Sequence, residues 1–276
     1  MIVYESEMAH LNTRRLEAVS TFVDRLQATG RYTFSVAEVR AALSASEIAL
    51  GSALRRLKRR GRIVSPRRGF CVIVPIEYRA AGSPPASWFI DDLMRFLGQP
   101  YYVALLSAAA VHGAAHQQPM MFQVLTDRPT RGGEAGRVRI EFHMSKSVAG
   151  TPTVQAQTET GTMSVATPES TAFDLVRFSA ACGGWSNVAT VLLELSERLE
   201  PVALGAVAEL HKTPDVQRLG YLLDHAGQPH LAESLLRVLH SKRYRTVMLS
   251  SDAPPIEGGT AGPWRVIPNV EVEIDL

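Results

Sequence analysis

Two cysteines in 276 residues, Cys71 and Cys182, are too few and too far apart for a disulfide framework, and they suit a reducing cytoplasm. Long apolar runs are also missing. The most apolar stretch, YYVALLSAAAVHGAA (101–115), is too short to span a bilayer and reads as a buried helix with no membrane role. The opening MIVYESEMAHLNTRR has no basic region followed by an apolar one, so no secretory leader is expected. No internal repeat and no low-complexity tract appears, and a 46% hydrophobic composition argues against extended disorder. One further absence is local: between Arg55 and Arg68 there is no acidic residue at all.

That segment, inside ALRRLKRRGRIVSPRRGFCVIVP (53–75), instead holds eight cations: Arg55, Arg56, Lys58, Arg59, Arg60, Arg62, Arg67 and Arg68. The whole chain is nearly neutral at +2, yet residues 1–80 carry 14 Lys+Arg against 7 Asp+Glu, and the remainder 15 against 20. A basic third joined to an acidic remainder suggests two jobs, one of them meeting a polyanion.

The length favours two domains. In LNTRRLEAVSTFVDRLQATG, Leu16, Val19, Phe22, Val23 and Leu26 recur at helical spacing and Gly30 closes the helix. Ser35 to Glu38 (SVAE) is a capping box opening a helix over 36–43, with Val36, Val39, Ala42 and Leu43 on one side. A second box, Ser44 to Glu47, opens a third helix to about Arg60, with Leu50, Leu54 and Leu57 as its apolar stripe and Gly61 as its end. About one turn separates the last two helices, as in a helix-turn-helix. RIVSPRRGFCVIV then reads as two β-runs around a SPRRG turn, which makes a wing. The expected fold class is α+β: a winged helix-turn-helix over 1–78, a small-residue linker over 79–87, and a larger mixed domain over 88–276 with a helical second half.

In the larger domain, WFIDDLMRFLG and YYVALLSAAAVHGAA read as helices separated by GQP, and 121–127, 137–144, 153–157 and 163–166 as strands. Thr167 caps a helix with Pro168 at its first position, helical patterns continue to about His240, and WRVIPNVEVEIDL is strand-like. In the third helix, Ser52, Arg55, Arg56 and Arg59 fall away from the leucine stripe, and Arg67 with Arg68 mark the wing tip. Ser46, Ser52 and Arg55 are placed to meet base edges in the major groove, while the later cations hold phosphates. A merely solvated charged face and a protein-docking winged helix are the competing readings.

Catalytic patterns are weak. His112 and His116 are spaced i, i+4, but Gly113 stands where a metalloprotease places its Glu. RGGEAGR lacks the Lys-Ser/Thr of a phosphate loop. Asp127, Glu141 and Lys146 would be needed for a metal-dependent nuclease, and Glu271, Glu273 and Asp275 for a nucleotidyltransferase metal pair. Packing and solvated strands explain these residues more simply, so no metal, no cofactor and no enzymatic activity are expected.

The winged-helix segment resembles the N-terminal domain of the AbiEi family, antitoxins and transcriptional regulators of type IV toxin–antitoxin systems. YYVALLSAAAVHGAAHQQPMMFQVLTDRPTRG (101–132), SVATPESTAFDLVRF (164–178) and WRVIPNVEVEIDL are similar to blocks of that family's C-terminal domain. The resemblance implies a cytoplasmic phage-defence protein with two activities. Its winged helix would bind inverted repeats of operator DNA, as a dimer or cooperatively, and repress its own operon. Its C-terminal domain would counteract a nucleotidyltransferase-like toxin, with or without direct contact. It assigns DNA contacts to Arg55, Arg56, Lys58, Arg59, Arg62, Arg67 and Arg68, and assigns no toxin-neutralising residue. A winged-helix transcription factor with a ligand-sensing second domain, or a metal-dependent nucleic-acid enzyme, are the alternatives.

Overall fold

The computed structural model describes residues 18–43, 46–114, 121–254 and 262–274. These divide into two compact units. The first takes the described residues up to Pro100 with Arg128–Phe142 and Gln157–Met163; the second takes Tyr101–Asp127, His143–Ala156 and the residues from Ser164 onward. Residues 79–87, expected as a linker, thus lie within the first unit, and Ser83 among them is buried.

The first unit begins with a helix over 18–28 (α1). It continues with β1 (Thr33–Ser35), α2 (Val36–Leu43), α3 (Glu47–Arg59), β2 (Ile63–Arg67) and β3 (Phe70–Ile73). Val19, Val23, Phe34, Val39, Leu50, Leu57 and Ile73 form one apolar core beneath these elements. The SVAE capping box is present in both directions. The Glu38 amide donates to Ser35 Oγ at 3.1 Å and the Ser35 amide to Glu38 Oε2 at 2.6 Å. The second box is not what opens α3: the helix starts at Glu47 with Ser46 as N-cap, while Ser44 lies outside the described residues.

Strand β1 was not expected. It pairs antiparallel with β3, which also pairs with β2, giving the order β1-β3-β2. The hairpin turn is shorter than SPRRG. Ser65 and Pro66 stay in strand β2, at an irregularity between Val64 and Arg67, leaving Arg68 and Gly69 (φ 86°) to reverse the chain. Proline is tolerated there because β2 is an edge strand with a bulge.

The chain then runs through α4 (Ile90–Leu97), β4 (Tyr101–Val103), α5 (Leu105–Val111), β5 (Phe122–Thr126), β6 (Gly133–Ala135), β7 (Val138–Met144), β8 (Thr153–Thr158) and β9 (Gly161–Ala166). Five helices follow: α6 (Pro168–Arg177), α7 (Trp185–Leu195), α8 (Pro201–Ala208), α9 (Thr213–His225) and α10 (Pro229–His240). Short strands β10 (Val247–Met248) and β11 (Val266–Ile267) pair in parallel.

Helix α4 belongs to the first unit, where Thr33 Oγ1 bonds Asp92 Oδ2 at 2.5 Å and Phe70 meets Phe96 with ring centres 5.4 Å apart. In the second unit β4 pairs antiparallel with β5 and parallel with β9. Tyr101–Val103 was expected to be helical. Its aromatic and β-branched side chains suit the ladder, and the helix starts only at Leu105. Gln123 of β5 ties the two together, its Oε1 accepting from the Leu106 amide at 3.1 Å and its Nε2 donating to the Ala181 carbonyl at 2.9 Å. Thr167 caps α6 as expected, accepting from the Ser170 amide at 3.2 Å. Among the described residues the tail is strand only at Val266–Ile267; Glu271 and Glu273 lie on irregular backbone, and Asp275 is outside the described residues.

Candidate nucleic-acid interface

Helix α3 buries Ala49, Leu50, Ala53, Leu54 and Leu57. At about 100° per residue, the positions diametrically opposite are 48, 52, 55 and 59. They are Ile48, Ser52, Arg55 and Arg59. Ile48 is 83% exposed, and Arg55 and Arg59 are exposed. Arg55 Nη2 donates to Ser52 Oγ at 3.0 Å, which sets the guanidinium along the stripe. Ser46 is exposed at the helix start and its hydroxyl makes no capping bond. Lys58 is exposed and Arg56 half-buried, flanking the stripe. Arg56, Lys58 and Arg59 also sit in the last turn, where the helix dipole favours cations.

The acids of the region stand elsewhere. Asp24, Glu38 and Glu47 are the acidic residues between 18 and 73. Asp24 pairs with Arg62 at 2.5 Å, Glu38 with Arg31, and Glu47 with Arg40 at 2.9 Å. None of the three is committed to Arg55, Lys58, Arg59 or Arg68.

Two of the expected DNA-contacting cations are therefore engaged within the fold. Arg62, only 24% exposed, ties the base of the hairpin to α1 through Asp24. Arg67 donates from Nη2 to the Arg131 carbonyl, and burial with the nearby Arg131 charge lowers its pKa. At the hairpin tip Arg68 alone of the pair is exposed. Ile48 is the residue that the sequence reading missed. Stepping back along the helix from Arg59 by four, three and four residues reaches it.

Among the described residues no group of three or more His, Cys, Asp or Glu side chains could hold a metal ion. His112 Nε2 lies 2.7 Å from the Ala166 carbonyl, a tie between the end of α5 and β9, and His116 is outside the described residues. Cys71 and Cys182 are buried and neither is in a disulfide. No helix among the described residues is long and apolar enough to cross a membrane.

Comparison with known proteins adds three findings. No curated protein sequence matches the chain. Among solved structures, the RV2827C protein from Mycobacterium tuberculosis superposes with a TM-score of 0.65 at 20% identity, covering 91% of this chain and 90% of that one. At that identity the likeness speaks for the mixed α and β fold alone. Residues 102–225 match the family model of the AbiEi antitoxin C-terminal domain, starting at β4 and ending at the last residue of α9. By that match, residues 102–225 are similar to the AbiEi antitoxin C-terminal domain.

Proposed function

We propose that the first unit is a winged helix-turn-helix that binds operator DNA and represses the operon encoding it, while the AbiEi domain counteracts a nucleotidyltransferase-like toxin. The observation that carries the DNA reading is the stripe on α3. Its arginines lie opposite the core, and the neighbouring acids are paired to other arginines. In this reading α3 enters the major groove, the geometry of helix-turn-helix proteins. Ser46, Ser52 and Arg55 meet base edges, and exposed Ile48 packs on a thymine methyl. Arg56, Lys58, Arg59 and Arg68 hold phosphates. Arg62 and Arg67 position the hairpin instead of contacting DNA. Two copies engage an inverted repeat.

The test separates the activities. Arg55→Glu with Arg59→Glu is expected to abolish a gel shift on the upstream operator fragment, yet to leave rescue from the co-expressed toxin intact. Loss of both together, with the protein still folded, would defeat the division of labour. A second reading, a transcription factor whose larger unit senses a ligand, draws support from a cavity of about 990 Å3 in that unit.

A further inference from the structure

That cavity is built wholly from the second unit, by residues after β7, the end of α6, the start of α9 and the segment after β10. No short motif contains it. Four cations line it, Lys146, Arg177, Lys212 and Arg218, with the two carboxylates of Asp215 and Asp252. The two arginines are fixed in place, with side chains 25% and 20% exposed. Arg177 Nη2 donates to Ser145 Oγ at 3.3 Å, and Arg218 Nε donates to the Met248 carbonyl at 3.0 Å.

Their carboxylate neighbours do not complete them. Arg177 Nη1 is 3.7 Å from Asp174 Oδ1, and Arg218 Nη1 is 3.8 Å from Asp215 Oδ1. Both distances exceed hydrogen-bonding range, so neither guanidinium makes the bidentate fork that it is shaped for. Ser145 and Ser147 add hydroxyls at the same rim, 2.8 Å apart. His211 adds no charge at neutral pH, because burial and the Arg177 charge push its pKa down to about 4. The remaining wall includes Phe178, Trp185 and Leu249.

A basic, partly desolvated guanidinium fork suits an oxyanion that presents two oxygens to it, and the tetrahedral phosphate group does so while carrying more charge than a carboxylate. A free phosphate would leave most of the space empty. Small-molecule sites of about 300–1,000 Å3 hold drug-sized ligands, and the aromatic wall offers a face for a planar ring. We infer that this cavity binds a phosphate-bearing small molecule of the nucleotide class. Lys146, Arg177, Lys212 and Arg218 take the phosphoryl oxygens, and Trp185 packs the base. The inference does not depend on the DNA reading, since every residue in it lies outside the first unit.

Calorimetric titration of the full chain with ADP, pyrophosphate and adenosine tests it. ADP should bind most tightly, pyrophosphate more weakly, and adenosine about tenfold or more below ADP. Lys146→Ala with Lys212→Ala, both at exposed positions, should weaken ADP by about tenfold or more without moving the ligand-free melting temperature. The Arg55→Glu, Arg59→Glu variant guards against ADP sitting on α3, and must bind ADP as the native chain does. Silence with ADP, unchanged ADP affinity in the Lys146/Lys212 variant, or loss in the α3 variant would each overturn the site. Adenosine matching ADP would remove the phosphoryl role, and pyrophosphate matching ADP would remove the base.

Discussion

Asp174 and His211 both lie close enough to Arg177 to feel its charge, and burial moves their protonation equilibria in opposite directions relative to folding. Burial raises the Asp174 carboxyl to about 7, against the pull of Arg177, and its Oδ2 has no hydrogen-bond partner. An acid whose folded pKa is raised holds its proton better in the folded state. Its contribution is therefore most favourable below its unfolded pKa and declines as pH rises towards 7. For His211 the folded pKa is lowered to about 4, so its contribution is full above the ordinary histidine value and is lost as pH falls towards 4. Between those limits the two slopes oppose. Asp174→Asn should gain stability over the native chain at pH 8, on the order of 2 kcal/mol, and less of it at pH 5. His211→Gln loses the stack on Phe173, whose ring centre is 4.1 Å away, at every pH. Its relative stability should nevertheless improve as pH falls. Urea unfolding of both variants at pH 5 and 8 checks the pair of signs; slopes of the same sign would refute the assignment.

At the scale of elements, close packing decides where side chains are forbidden. Gly220 sits in α9 under the buried ring of Trp264, and a Cβ there would lie 1.9 Å from Trp264 Cζ3. Gly220→Ala should lower the urea midpoint by an amount worth about 1–3 kcal/mol with an unchanged slope. The elements legible in the sequence are those whose ends carry local chemistry. The Ser35–Glu38 box marks the start of α2, Thr167-Pro168 the start of α6, and Gly98 (φ 62°) the end of α4. Those missed draw their identity from distant partners. Thr33–Ser35 is too short to show alternation and is a strand because β3 lies beside it. Tyr101–Val103 runs straight into an alanine-rich helix, and only β5 and β9 separate it from that helix. Gly133–Ala135, hidden in a glycine-rich loop, pairs with β7. The site follows the same rule. Its α3 stripe is helical arithmetic within one segment, and so could be read in advance. That Arg62 is held by Asp24 and Arg67 by the Arg131 carbonyl could not, because those partners lie 38 and 64 residues away. The cavity joins four segments and has no local signature.

For the whole molecule, the relevant electrostatic quantity is where charge sits, since a net charge of +2 gives little attraction to a polyanion. Each phosphate neutralised by a docked cation releases condensed counterions, so the slope of log K against log salt counts contacts, at about 0.9 per phosphate. Net charge and contact number can therefore be varied independently. Lys58→Gln and Arg68→Gln each remove one exposed cation beside the α3 stripe or at the hairpin tip, and each should reduce the slope on operator DNA by about 1. Arg62→Gln removes the same formal charge from a residue already paired with Asp24. It should leave the slope unchanged and act on stability instead. Glu197→Gln makes the chain more positive by one charge at an exposed position in the second unit, and should also leave the slope alone. Fluorescence anisotropy across a salt series separates these cases. If all four variants shifted the slope in proportion to net charge, DNA would be held by the diffuse field of the molecule, and the ridge on α3 would not be the binding surface.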